Sequence, residues 1–411
     1  MKGDGRLDQK VLALVTLGLV AFGLVMVYSA TSASAALGDG DPMSFLKRQA
    51  IYALIGVVVM AAAARFDYHR LRYVAPGLLV AALGLCAAVL FVAPAVNGAH
   101  RWFLLGPASF QSSELAKLAL CLFAAVYLAR RAPPRTFGEL MRPLGFLTAV
   151  FCGLILLEPD LGTTISLCLM MLAVLLVAGV PVRLLAAASV LAAAVGLIAV
   201  WVEPYRRARV FSFVDPWSDA QGSGFQIVQA LIGIGSGGIT GEGLGEGVQK
   251  VLYLPEAHTD MIFAVVGEEL GLVGSILVIG AFAAFALAGF RIALRCRDPF
   301  GKLLAAGLTA LVCGQAAINL AAVLGIAPLT GIPLPFVSYG GSSLVVLLAG
   351  VGILLNIAVN GEVVRARVPD RGGRNRRSRP ARARGRGGAA RAGRDGDVRR
   401  VARSRRVAAG S

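Results

Sequence analysis

The sequence predicts an all-α polytopic membrane protein with ten transmembrane helices and a large folded extracytoplasmic loop between helices 7 and 8. Three observations carry this. Of 411 residues, 57% are hydrophobic and only 15% charged, with a mean hydropathy of +0.74; a soluble globular chain is about 45–50% apolar and about 25% charged. The apolar residues fall into runs near the ~20 residues that cross a bilayer as a helix. One stretch, 204–260, interrupts them at a length far beyond the ~12–15 residues of an ordinary connection.

In chain order, residues 1–9 form a cytoplasmic N-terminal segment. The expected spans are 10–30, 47–65, 73–94, 113–130, 142–157, 161–180, 183–203, 261–290, 303–326 and 340–360. Ala33-Ser34-Ala35 resembles a signal-peptidase site. The apolar run before it exceeds the ~7–15 residues of a signal peptide, so an uncleaved first helix is expected. The fifth span is short and ends at the turn Glu158-Pro159-Asp160. With the N-terminus inside, the inner segments carry 15 Lys and Arg and the short outer loops only Lys47, Arg48 and Arg101, as the positive-inside rule requires. Ten spans return the C-terminus to the cytoplasm.

The net charge of +17 belongs mostly to residues 361–411, which hold 17 Arg, no Lys and four acids. This tail lacks apolar periodicity and is expected to be disordered, lying on anionic lipid. It has no interleaved aromatic residues for base stacking, so nucleic-acid binding is not expected. The six cysteines (86, 121, 152, 168, 296 and 313) show no CxxC spacing, which suggests neither a disulfide framework nor a zinc site.

The unusual chemistry gathers on the outer face. Residues 97–117 include Ser112, a plausible N-cap, and Glu114 in the first turn, where the helix dipole favours an anion. Lys117 then sits on the wrong end of that dipole. It is either a lysine snorkelling to the headgroups or an intramembrane functional group in need of an acidic partner. The 204–260 loop contains Phe211, Phe213, Trp217 and Phe225, so it is expected to fold, with a short or re-entrant helix. Gly233-Ile-Gly-Ser-Gly-Gly238 fits G-x-G-x-x-G, but no βαβ unit surrounds it; tight turns or close backbone approach explain the glycines better. The loop ends in Glu256, His258, Thr259 and Asp260. A carboxylate at the water–lipid boundary suits a general base or metal ligand, and Asp260 or Thr259 equally suits an N-cap. Glu268 and Glu269, inside the next span, need partners. Two prolines and two glycines in residues 331–343 break any continuous helix; such backbone at membrane depth is buried in protein or lines a wet cavity. Walker A, HExxH and GxSxG motifs are missing, which leaves ATP-driven transport and the common hydrolase chemistries without support. The long loop has no counterpart in the first half, which weighs against an inverted-repeat transporter.

Five motifs in order (residues 97–106 with 111–117, 158–163, 215–238, 253–271 and 331–343) resemble those of the SEDS family, the FtsW/RodA/SpoVE group of bacterial cell-wall polymerases. The resemblance spans about residues 10–360. The form Tyr253-Leu-Pro-Glu-Ala-His-Thr-Asp260 is more like the FtsW division branch than the RodA elongation branch. Departures are Ser112 where the family usually has Pro, and Gly247 where it often has Ser; they put the start of the fourth helix in doubt.

The resemblance implies a peptidoglycan glycosyltransferase of septal wall synthesis that polymerises lipid II into β-1,4 strands with inversion. It implies a class B penicillin-binding transpeptidase and other divisome proteins as partners. The family's essential aspartate falls on Asp260, as base or holder of a possible divalent cation (Mg or Mn), with no organic cofactor. Its membrane-edge lysine falls on Lys117, which would pair with Asp260 and keep it ionised. Arg101, Glu114, Arg206, Arg209, His258 and Ser338 are the substrate-binding candidates. A lipid II flippase, a non-catalytic divisome scaffold and a RodA-type polymerase are the rivals.

Overall fold

The computed structural model describes residues 2–36, 42–94, 100–106, 108–250, 254 and 257–361. The Arg-rich tail and parts of the motifs around Asn97 and Tyr253, including Glu256, lie outside the described residues.

The helices are α1 (Lys2–Ala36), α2 (Pro42–Arg65), α3 (Leu71–Val92), α4 (Ser112–Ala129), α5 (Phe137–Leu140), α6 (Phe146–Leu157), α7 (Leu161–Val177), α8 (Val182–Val202), α9 (Pro204–Val214), α10 (Phe225–Ser236), α11 (Ile262–Arg295), α12 (Pro299–Val323) and α13 (Gly341–Asn360). A hairpin of β1 (Trp102–Leu105) and β2 (Ala108–Gln111) precedes α4. Among the described residues, nine helical segments are long and apolar enough to cross a membrane. The expected run 161–180 forms α7, a helix of 17 residues, or about 25 Å at ~1.5 Å per residue.

The bundle is built around α4, α12 and α13, each with 72% of its span window buried, whereas α8 has 6%. α12 packs against α4, α7, α11 and α13, and α2 lies along α13. Small residues permit this approach: Ala305, Ala306 and Ala316 of α12 are buried, and a Cβ on Gly307 would stand 2.5 Å from Cys121 Sγ on α4. α8 faces outward along nearly all its length, consistent with its apolar sequence meeting lipid rather than protein.

Helix ends differ from expectation in ways that matter for the site. α4 begins at Ser112 itself, after Gln111, so Ser112 is not the N-cap. The N-cap position of α11 is Met261, so neither Thr259 nor Asp260 fills that role. α11 runs to Arg295, past the expected 290, and is broken at Gly271 (φ 62°, ψ −155°). The long loop, which holds α9 and α10, crosses α11 at this break. Gly241 (φ +82°) lies so close that a Cβ would stand 2.1 Å from the Glu269 carbonyl, and one on Gly237 would stand 2.0 Å from the Gly267 carbonyl. Only glycine allows both the left-handed backbone and the contact. The glycine-rich run therefore serves close backbone approach.

Candidate active site

Asp260 lies in the non-helical turn before α11, half-buried. Its Oδ1 accepts from Thr259 Oγ1 at 3.3 Å. A Cβ built on Gly331 would stand 3.9 Å from Asp260 Oδ2 and 3.8 Å from Arg209 Nη1. A carboxylate and a guanidinium thus flank one open position beside a glycine at φ +73°. Arg209 Nη1 also donates to the Leu329 carbonyl at 3.3 Å. The long loop, α9 and the 331–343 segment meet here.

That segment is non-helical up to Gly341, as its prolines and glycines require. Phe336 holds a left-handed backbone (φ 67°) while buried, a strained state that only surrounding packing sustains. Ser338 is buried, and its Oγ accepts from Leu334 N at 2.8 Å; its hydroxyl shapes the turn. The His258 carbonyl accepts from Tyr339 N at 2.9 Å, and its ring lies edge-on to Phe45 at 4.8 Å. Gln49 on α2 bonds the Ser338 carbonyl through Nε2 at 3.1 Å.

The other two candidate arginines bond backbone carbonyls. Arg101 donates to the carbonyls of Glu158 (2.5 Å) and Pro159 (2.7 Å). Arg206 donates to those of Leu156 (2.5 Å) and Ala199 (3.1 Å). Both satisfy carbonyls at helix ends, which otherwise lack partners. Of the three candidate arginines, Arg209 is the one whose Nη1 lies beside the Gly331 position shared with Asp260.

Lys117 is fully buried, so it does not snorkel. Its acidic partner is Glu114, at 2.7 Å and one turn back, rather than Asp260 as expected. The reason is local: i and i+3 lie on one helix face. Glu114 is buried as well, and its Oε2 has no hydrogen-bond partner.

Behind this lies the Glu158–Asp160 turn. Asp160 caps α7 by accepting from Thr163 N at 2.9 Å, and Gln111 Nε2 reaches its Oδ2 at 3.3 Å. Glu158 takes a long bond from Ser112 Oγ at 3.4 Å. Burial, reinforced by the neighbouring Asp160 charge, pushes the Glu158 carboxyl up to about 8.

Glu268 and Glu269 find their partners in the long loop. Glu268 Oε1 accepts from the Val248 and Gln249 amides at 2.7 and 3.0 Å. Glu269 pairs with buried Lys250 at 2.6 Å and accepts from Ser29 Oγ at 2.6 Å. Both acids hold the loop on α11. Among the described residues no three His, Cys, Asp or Glu side chains group as a metal cage. A single carboxylate such as that of Asp260 could hold a hard cation only with other ligands from outside the protein.

Sequence reasoning missed Gln49 and Asn319. Asn319, 2% exposed on α12, donates to the Asp260 and Ile332 carbonyls at 2.7 and 2.8 Å. The signal available was a polar side chain inside an apolar run.

A family model described as "Cell cycle protein" and named for FtsW, RodA and SpoVE matches residues 9–362. A protein of Geobacter sulfurreducens named "Probable peptidoglycan glycosyltransferase FtsW" is 42% identical over 351 residues, 85% of this chain and 94% of its own. A Halomonas elongata protein of the same name is 41% identical over 363 residues, 87% and 91% of the two chains. Among solved structures, one described as "Structural coordination of polymerization and crosslinking by a peptidoglycan synthase complex" superposes with a TM-score of 0.71 at 34% identity, covering 85% of this chain and 97% of that one. The rod shape determining protein RodA of Thermus thermophilus superposes at 0.63 with 32% identity, covering 85% and 96%.

Proposed function

This chain belongs to the FtsW/RodA/SpoVE family of cell cycle proteins, and from that premise we propose that it is a peptidoglycan glycosyltransferase, polymerising lipid II into β-1,4 glycan strands during septal wall synthesis. The FtsW names of its relatives at 41–42% identity support the activity and the division branch.

The observation that carries the site is the meeting of Asp260 and Arg209 at Gly331. The acceptor sugar's 4-hydroxyl attacks the anomeric carbon of a lipid-pyrophosphate donor. The new C–O bond forms as the bond to pyrophosphate breaks, and an α-linked donor yields a β-linked product. Asp260 takes the hydroxyl proton, and Arg209 faces the charge that develops on the leaving pyrophosphate. Pyrophosphate leaves well, so no general acid is needed. A bound divalent cation would add charge stabilisation at the pyrophosphate, with Asp260 as its protein ligand. Lys117 pairs with Glu114 on α4 and is the second catalytic candidate. Arg101, Arg206 and Ser338 support the site through backbone, and His258 packs beside the 331–343 segment.

The protein is a multi-pass membrane protein. We place it in the bacterial cytoplasmic membrane at the septum with both termini in the cytoplasm, which the Lys and Arg distribution supports. Its partner is a class B penicillin-binding transpeptidase within the divisome; the likeness to a synthase complex that couples polymerisation to crosslinking supports this. Anionic lipid is the surface for the Arg-rich tail.

The test is polymerisation of labelled lipid II by purified protein with its transpeptidase, comparing wild type with Asp260→Asn. Removing a general base lowers rate about 10²–10⁴-fold. Equal polymer from both removes Asp260 as the base. No polymer from either, with partner and divalent cation present, favours a flippase or scaffold.

A further inference from the structure

We infer that Asn319 is a positioning residue for this reaction: one buried amide clamps the backbone on both sides of the reacting position. The inference rests on the reading of Asp260 as the base. Asn319 Nδ2 donates to the Asp260 carbonyl at 2.7 Å and to the Ile332 carbonyl at 2.8 Å, which uses both of its hydrogens. Its Oδ1 is buried and has no hydrogen-bond partner.

The stranded oxygen is informative. A buried acceptor left unpaired is destabilising, and an aliphatic side chain filling the same space would avoid that loss. The amide therefore stands at this position for its two donors. Each bond goes to non-helical backbone, where no helical N–H serves the carbonyl. One acceptor is the residue that bears the reacting carboxylate. The other directly follows Gly331, whose open side lies between Asp260 Oδ2 and Arg209 Nη1.

A single planar amide thereby fixes the separation of the 257–261 turn and the 331–343 segment. Its mount is α12, one of the most buried helices of the bundle. Pinning the Asp260 carbonyl stops the peptide from rotating and holds the carboxylate towards the Gly331 position. A misplacement of about 1 Å lowers a reaction rate ~10²-fold, because the attack geometry is lost. Substrate contacts elsewhere are untouched, so the loss falls on kcat.

The test measures lipid II polymerisation by the full chain with its transpeptidase partner, for wild type, Asn319→Ala and Asn319→Asp, alongside Asp260→Asn. In Asn319→Ala, kcat falls about 10–100-fold with KM within about two-fold. In Asn319→Asp, the introduced carboxyl donates one hydrogen bond only when protonated. Its turnover therefore falls as pH rises through that titration, a limb that wild type and Asn319→Ala lack. Hydrogen exchange of folded Asn319→Ala rises at residues 257–263 and 331–334 and stays unchanged along α4. A folded Asn319→Ala with wild-type kcat, a loss confined to KM, an Asn319→Asp profile parallel to wild type, or failure of both variants to fold would overturn the inference. An inactive wild type, or an active Asp260→Asn, would reject instead the reading on which it rests.

Discussion

Replacing Glu158 with Gln should remove a pH dependence of stability that the fold builds in. Glu158 is fully buried in the α6–α7 turn, with a 3.4 Å bond to Ser112 Oγ and an Oε2 that has no hydrogen-bond partner. Its carboxyl rises from 4.5 to about 8 in the folded state, chiefly through burial. Between those values the folded protein holds a proton that the unfolded chain releases. Stability from this group is thus fully present below the unfolded value and is lost as pH rises through about 8. The slope is about 1.4 kcal/mol per pH unit, so wild type loses roughly 2–3 kcal/mol relative to Glu158→Gln between pH 6 and 8. Glutamine fills the same volume and does not titrate; any constant cost of its amide leaves the slope untouched, and the remaining groups cancel in the difference. The assay is reversible unfolding in detergent micelles, followed by tryptophan fluorescence for both proteins at pH 5, 6, 7 and 8. A free-energy gap that stays constant within about 0.5 kcal/mol over this range, or that moves in wild type's favour as pH rises, would refute the reasoning.

Four further outcomes are expected. Lys117→Met or Glu114→Gln alone breaks a fully buried pair and destabilises by about 3–5 kcal/mol, while the double variant recovers much of this; denaturant midpoints of the three variants check it. Gly331→Ala forces a left-handed alanine and places a methyl between Arg209 and Asp260, so polymerisation falls at least about tenfold while the protein remains folded, as activity beside a thermal midpoint would show. Chelating divalent cations stops polymerisation, and added Mg or Mn restores it; full activity in chelator would remove the cation from Asp260. Deleting residues 371–411 leaves polymerisation by the purified protein with its partner unchanged, and a large loss would give the tail a role beyond its charge.

How much was legible divides along physical lines. Apolar run length decided the helices, because in a bilayer every backbone polar group must be satisfied within its own segment. Most spans therefore fell within a few residues of their sequence positions. The broken backbone at 331–343 was equally legible, since proline and glycine act locally. Asp260 stood out as a carboxylate at a membrane boundary. Its neighbours did not, because side-chain partners depend on which helices meet. Arg101 and Arg206 were legible as substrate-binding candidates, but the helix-end carbonyls they bond were not. Glu268 and Glu269 needed partners that the sequence did not name, and they find them in Val248, Gln249 and Lys250 of the loop.

By itself the sequence determined an all-α membrane bundle, its approximate spans, the glycine-rich loop and the acid at position 260, all of which follow from local composition and chain stiffness. Tertiary structure alone decided that Lys117 answers to Glu114, that Arg209 is the arginine beside the Gly331 position shared with Asp260, and that Asn319 joins two segments 72 residues apart in the chain (260 and 332). Those pairings depend on the rotation and depth of each helix against its neighbours, which packing of small and large side chains sets and no local pattern encodes.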